Sequence, residues 1–201
     1  MADKLRQSLL FRSFRKTMTE AFGEESAAVI WREANEELAA LRKQHPRLDK
    51  DSRMMVLPAA ALYTALHRHA PEQALPLLRA HGTRMGEKTA AVIRWVTHIP
   101  GIPTLLWRNM PKLMRAMSDP KHGYSRHIVS ETNELVGVNI LSCPLHDAAI
   151  SLGVPEAAQF VCAMDKACMN GFHHIRYTRT TSVAEGVECC DYRLSYDRNK
   201  P

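Results

Sequence analysis

Apolar side chains recur every three or four residues through the first 118 positions, which is the period of an amphipathic α-helix. The pattern predicts five helices, over residues 4–22, 24–44, 53–68, 71–97 and 103–117. Pro71 and Pro103 begin the last two helices, because proline suits the first turn of a helix better than its interior. For the same reason, Pro111 is expected to kink or interrupt the fifth helix. All three tryptophans fall on apolar stripes and are expected in the core: Trp31, Trp95 and Trp107.

The pattern changes after the segment 119–123, whose proline and glycine are typical of a turn. Beyond it, β-branched side chains become frequent, and prolines mark the starts of short helices. The predicted strands are 134–143, 173–182 and 187–196, and the predicted helices are 144–153 and 155–170. We therefore expect an α+β fold in one integrated domain. A helical region, 1–118, precedes a region, 119–201, with a small antiparallel sheet and covering helices.

The last two predicted strands form a hairpin whose alternation indicates which side chains face inward. Cys190 and Tyr192 belong to the apolar set of the final strand and are expected to face the core. If the turn lies at 183–186, Arg179 lies opposite Cys190, and Tyr177 lies opposite Tyr192. An arginine on a largely apolar face needs an anion, and a carboxylate, a cysteine thiolate or a substrate carboxylate could supply it.

Several candidate site residues come from neighbouring predicted elements. Cys162 and Asp165 are three residues apart on the helix 155–170 and so share a face, and Asp165 is one candidate anion for Arg179. Cys143 ends a strand directly before a helix, where the helix N-terminus favours the thiolate. Asn139 points the same way as Cys143 along that strand.

Composition narrows the class of protein. The 201 residues carry a net charge of +6, but the basic side chains are spread along the chain. This favours a solvated basic surface that attracts small carboxylate substrates over nucleic-acid binding. All five cysteines follow residue 142, which argues against a disulfide scaffold. With no export signal and no apolar stretch long enough for a bilayer, the expected location is the cytoplasm.

The apolar and basic stretch 102–117 has several interpretations. Core or pocket wall ranks first, and a lid, a dimer surface in a homo-oligomer, or a surface that lies on a membrane are the alternatives. Phosphate-binding loops, the dinucleotide fingerprint and the serine nucleophile elbow are all missing from the sequence. The cysteines have no recognised zinc spacing, so the expected cofactor is either none or zinc.

The order of motifs in the C-terminal third resembles the L-2-amino-thiazoline-4-carboxylic acid hydrolase family. The motifs are Cys143-Pro144, Gly153-x-Pro155-Glu156, Cys162-x-x-Asp165, Thr180-Thr181 and Gly186-x-x-x-Cys190-Asp191-Tyr192. The resemblance implies hydrolytic opening of a thiazoline ring, which gives N-carbamoyl-cysteine from the namesake substrate, or opening of a related cyclic amidine. The same region is similar, more remotely, to vinyl-reductase-type sensor domains that hold zinc. That similarity leaves a non-catalytic binding domain with a structural zinc as the alternative.

Two mechanisms fit these residues. In the first, which we favour, the thiolate of Cys143 or Cys162 attacks a small-molecule substrate and Asp165 acts as the base. In the second, a zinc ion activates water and is bound by Cys143, Cys162 and Cys190, with or without Asp165. The predicted catalytic residues are Cys143, Cys162, Asp165 and Cys190, and the predicted substrate-binding residues are Arg179, Asn139 and Tyr177.

Overall fold

A computed structural model describes residues 3–200. It contains eight α-helices within that range: α1 (Lys4–Gln7), α2 (Phe14–Phe22), α3 (Glu24–Gln44), α4 (Leu57–His69), α5 (Pro71–Thr97), α6 (Ile102–Met117), α7 (Pro144–Ser151) and α8 (Ala158–Met169). The described strands are β1 (Ser125–Glu131), β2 (Leu135–Ser142), β3 (Ile175–Thr178) and β4 (Cys190–Tyr196). The predicted α+β class is confirmed, with helices first and a small antiparallel sheet after them.

The helix predictions fail where the chain needs a turn. The predicted helix 4–22 is two helices, α1 and α2. Leu5 and Phe14 are both buried, although they would lie on opposite sides of one straight helix. Pro111, by contrast, does not interrupt α6, which runs on to Met117. The burial of Met110 and Met114 offsets the backbone hydrogen bond that proline removes.

The chain forms two compact units. The first contains the described residues up to Gly82, together with Leu145–Val161. Within it, α3 packs against α2 and α4. The largest buried side chains of this unit include Phe11, Phe14 and Phe160, and the rings of Phe11 and Phe160 lie 4.6 Å apart. This core is formed mainly by the N-terminal helices.

The second unit contains Thr83–Pro144 and the described chain from Cys162 onward. Its sheet has the strand order β1-β2-β4-β3, with all neighbours antiparallel. β1 was missed by the sequence patterns, because Ser125–Glu131 is largely polar and contains no fully buried residue. Only its pairing with β2 makes this segment a strand.

The predicted hairpin register is wrong by two residues. Tyr177 pairs with Leu194 rather than with Tyr192, and β3 ends at Thr178, so Arg179 lies outside the ladder. The cause is a long connection between the strands, which includes a 3₁₀ turn at Val183–Glu185. A shift of two residues preserves the side-chain alternation, so the predicted inward face is retained.

Two glycines bring α5 into backbone contact with α8 and with the turn that follows α8. A Cβ atom on Gly86 would lie 2.1 Å from the carbonyl oxygen of Met164, and one on Gly171 would lie 2.5 Å from the Cα of Ala90. Neither position has room for any side chain. The close approach fixes the part of α8 that carries Cys162 and Asp165.

The core prediction is right for Trp31 and wrong for Trp95, which is 74% exposed. Ala90 and Thr97 form the buried side of α5, and Trp95 lies on the outer side. Trp107 is half-buried and donates its indole N–H to the carbonyl of Asn133 at 2.9 Å. No helix in the described part of the chain combines the length and apolar character needed to cross a bilayer.

Candidate active site

The second unit brings side chains from α8, β3, β4 and the β3–β4 connection into one group, which we call the thiol–arginine cluster. Its members are Cys162, Asp165, Tyr177, Arg179, Ser182, Cys190 and Tyr192. α8 supplies two of them, and the inward face of β4 supplies two more. The cluster lies at the buried side of the sheet, next to its hydrophobic core.

Arg179 is the centre of the hydrogen-bond network. It is buried and donates to the Oδ2 atom of Asp165 at 3.4 Å, to the hydroxyl of Tyr192 at 3.3 Å and to the carbonyl of Cys162 at 2.9 Å. The Tyr192 hydroxyl in turn donates to the same Oδ2 atom at 2.7 Å. The anion expected for Arg179 is therefore Asp165, even though Arg179 lies outside the strand ladder.

The environment shifts the protonation equilibria of this network. Burial raises the pKa of Asp165, and the hydrogen bond from Tyr192 and the charge of Arg179 partly oppose that shift. Burial also raises the pKa of Tyr192, so its phenol stays neutral. Arg179 and Tyr192 both donate to the Oδ2 atom of Asp165, so neither of these hydrogen bonds uses Oδ1.

The two thiols of the cluster share one hydroxyl. The Sγ of Cys162 lies 3.5 Å from the Oγ of Ser182, and the Sγ of Cys190 lies 3.7 Å from the same atom. Cys190 also accepts the backbone N–H of Val183 at 3.4 Å. Burial raises the pKa of Cys162 to about 11, so this side chain is a thiol at neutral pH and needs a base to act as a nucleophile.

Asp191 holds the loop that presents Arg179 and Ser182. Its carboxylate accepts the backbone N–H and the hydroxyl of both Thr180 and Thr181, over 2.6–2.9 Å. Burial alone would raise the pKa of Asp191, but these four hydrogen bonds hold it well below its usual range. The Thr180-Thr181 and Asp191 motifs therefore act together to hold this loop in place, and Asp191 is a positioning residue.

Tyr177 has a buried hydroxyl with no hydrogen-bond partner among residues 3–200. The residue is 6% exposed, and its ring lies 5.7 Å from the ring of Tyr192. Burial and the nearby Asp165 carboxylate raise its pKa, so the phenol is neutral. A buried polar group without a partner is costly, and a polar atom of a bound molecule would relieve that cost.

The two remaining predicted site residues, Cys143 and Asn139, lie in different places. Cys143 packs against the core next to the cluster and interacts electrostatically with Cys162. Asn139, however, pairs in register with Asp191 and accepts a hydrogen bond from Arg193 at 2.8 Å, on the opposite face of the sheet from Cys190. The structure does not bring Asn139 to the cluster.

Sequence reasoning missed three contributors to this site: Ser182, Asp191 and Tyr192. Asp191 and Tyr192 are adjacent in one sequence motif, and strand alternation places their side chains on opposite faces of the sheet. This could have indicated that one of them faces the cluster while the other has a different role. Ser182 carried no signal, because its position depends on the loop that Asp191 anchors.

The proposed zinc ligands do not match a metal centre as the side chains are arranged. Within residues 3–200, no three or more His, Cys, Asp and Glu side chains are placed so that they could hold a metal ion together. Asp165 is instead hydrogen-bonded to the cation of Arg179, and the thiols of Cys162 and Cys190 contact Ser182.

The fold and the cluster define an α+β protein with buried thiols beside an aspartate–arginine pair. The model of the L-2-amino-thiazoline-4-carboxylic acid hydrolase family matches residues 50–194, which is more than half of the chain. The chain belongs to this family, which confirms the resemblance seen in its motifs. The match includes every residue of the cluster.

Comparisons beyond the family give little more. No curated protein matches the chain. Among solved structures, it is similar to a triple mutant of an H-NOX protein from S. oneidensis in the Fe(II) ligation state, with 10% identity, 96% of each chain covered and a TM-score of 0.39. A second H-NOX structure, from work on haem distortion, has 10% identity and a TM-score of 0.35 over 100% of this chain and 97% of that one. Similarity at this level carries no argument about function.

Proposed function

We propose that this protein is a hydrolase that opens a small cyclic amidine of the 2-aminothiazoline-4-carboxylate type. The thiol–arginine cluster is its active site, and N-carbamoyl-cysteine is the product from that substrate. The main support is the placement of Asp165, which Tyr192 and Arg179 hold by one oxygen on the face of α8 that also carries Cys162. Family membership supports the reaction class.

In the proposed mechanism, Cys162 is the nucleophile. Its Sγ adds to the amidine carbon as its proton passes to Asp165, and the ring C–S bond then breaks. The departing ring sulfur takes the proton from Asp165, which leaves an isothiourea on Cys162. Asp165 provides the base that a thiol with a raised pKa requires.

Water completes the cycle. It adds to the same carbon and passes a proton to Asp165, the bond to Cys162 breaks, and its sulfur recovers that proton. The released isourea becomes the carbamoyl group by tautomerisation, so one water is consumed and the enzyme is unchanged. Arg179 and the hydroxyl of Tyr177 are the groups proposed to hold the substrate, with Arg179 facing its carboxylate.

The test is release of a new thiol from 2-aminothiazoline-4-carboxylate, measured with a chromogenic disulfide in wild type and in Cys162→Ala, Asp165→Asn and Cys189→Ala. We expect the first two variants to lose at least about a hundredfold in kcat/KM. Cys189 provides the matched control, because it is a partly exposed thiol outside the cluster. Its variant should retain wild-type turnover.

Two results would contradict the proposal. Near wild-type turnover in folded Cys162→Ala would remove Cys162 as the nucleophile and direct attention to Cys143. Substrate binding without turnover in the wild type, detected by calorimetry, would instead favour the non-catalytic binding domain. Mass spectrometry of the quenched reaction should find the isothiourea adduct on Cys162 and none in Cys162→Ala.

A further inference from the structure

The outer side of α5 carries an apolar stripe that faces solvent. Val92, Trp95 and Val96 lie in its last two turns, and Ile99 follows in the next turn, all of them exposed. Val92, Trp95 and Val96 are three and four residues apart, which places them on one side of the helix, and Ile99 lies in the turn after the helix ends at Thr97. Trp95 is 74% exposed and Val92 is 61% exposed, so neither belongs to the core.

The stripe is not the side of α5 that packs into the protein core. The opposite side of α5 already packs inside the second unit through Gly86, Ala90 and Thr97. A helix with one side buried normally presents polar side chains on the other. Contiguous exposed apolar surface of this kind marks a place where another molecule binds.

The segment that carries the stripe is basic, with Glu87 directly before it. No aspartate or glutamate occurs from residue 88 to residue 118. Exposed cations in that segment include Lys88, Arg94, Arg108 and Lys112, and none of these four forms an ion pair within residues 3–200. Lys88 lies four residues before Val92 and so on the side of the stripe, whereas Arg94 is two residues after Val92 and lies on the opposite side of the helix.

We propose that this stripe docks onto an anionic lipid surface, with α5 in the plane of the headgroups. The indole of Trp95 suits the boundary between headgroups and acyl chains, and the uncompensated cations suit anionic lipid. A second copy of the chain fits less well, because symmetric stripes would bring the same unpaired cations together. The proposal is independent of the reaction assigned to the cluster.

The experiment is vesicle flotation of the full chain with phosphatidylcholine alone and with an equimolar mixture of phosphatidylcholine and phosphatidylglycerol. We expect the protein to float with the anionic vesicles only and to be released by high salt. Indole emission should shift to the blue on binding. Trp95 is the expected source, since Trp31 is buried and Trp107 is partly buried.

The variants Trp95→Gln and Val92→Gln should weaken anionic-vesicle binding by about tenfold or more. The matched control is Leu9→Gln, since Leu9 is 73% exposed but lies outside the stripe. It should bind as the wild type does, and thermal unfolding should show that all three variants remain folded. All three sites face solvent, which makes folding defects unexpected.

Several results would overturn the proposal. They are an absence of binding to anionic vesicles, equal binding to neutral vesicles, or wild-type flotation of Trp95→Gln. Light scattering provides the remaining check. A dimer that Trp95→Gln dissociates would assign the stripe to contact between two copies and refute the lipid surface.

Discussion

Burial determines which residues of the cluster carry charge at neutral pH. It raises the pKa of Cys162 and of Tyr177, so both stay protonated. Burial alone would lower the pKa of Arg179, but the neighbouring tyrosines and Cys162 more than reverse this, and the guanidinium stays charged. Asp165 is therefore the group that can exchange protons with a substrate.

The two tyrosines of the cluster should respond in opposite ways to loss of the hydroxyl. In ligand-free protein, Tyr177→Phe should raise the free energy of unfolding by about 1 kcal/mol, because it removes a buried hydroxyl that has no hydrogen-bond partner within residues 3–200. Tyr192→Phe should lower it by about 1–2 kcal/mol, because it breaks the hydrogen bond to Asp165. Urea unfolding measures both. Destabilisation by Tyr177→Phe would show that this hydroxyl has a partner in solution.

Cys162 should make the fold sensitive to alkali. Its folded pKa of about 11 lies above the ordinary value of 9.0, so the unfolded thiol ionises first as the pH rises. The stability that this residue contributes is complete below the unfolded pKa and is lost as the pH rises through the folded one, by roughly 2–3 kcal/mol. Urea unfolding at about pH 8 and about pH 11 should show a smaller drop for Cys162→Ala than for Cys189→Ala. Equal drops would contradict the assignment.

Among the elements, the helices were easier to predict than the sheet. α3 and α5 agree with the predicted ranges because apolar period, glycine and proline are local signals. β1 and the β3–β4 register depend on partners that are distant in sequence, so local patterns could not determine them. The contact of α5 with α8 and the turn after it also joins distant segments, and its sign in the sequence is a pair of glycines, Gly86 and Gly171.

That helix contact gives a sharp test. Gly86→Ala should destabilise the protein by about 2 kcal/mol or more and reduce turnover, because the new methyl must push α8, with Cys162 and Asp165, away from α5. Thr89→Ala, an exposed position on the same helix, should stay within about 0.5 kcal/mol of wild type. Unfolding curves and kcat/KM provide the readouts. A neutral Gly86→Ala would mean that the two helices lie farther apart than described.

At the scale of the whole molecule, the segment that matches the family model does not coincide with the first compact unit. The match begins at residue 50, after α3, whereas the first compact unit includes the earlier helices. Ile30, Trp31 and Leu38 of α3 are buried, and α3 packs on α4. The matched segment therefore does not contain the complete core of that unit.

A fragment of residues 50–201 should consequently fail to fold cooperatively. Without α3, the buried side of α4, which includes Leu62 and Leu66, would face solvent. We expect a broad thermal transition and strong binding of a hydrophobic dye, in contrast to the full chain. A sharp transition at the wild-type Tm would show that α1–α3 are dispensable for the core.

Local sequence patterns were enough to predict the order of elements from α3 onward except β1, the family, and the inward side of β4, where Cys190 lies. These follow from local periodicity and motif order, which need no distant partner. Three features required the folded structure: Arg179 meets Asp165 from a loop, Ser182 contacts two thiols, and Trp95 faces solvent. Each of these depends on how segments distant in sequence pack together, and a stripe of apolar residues does not state which neighbour covers it.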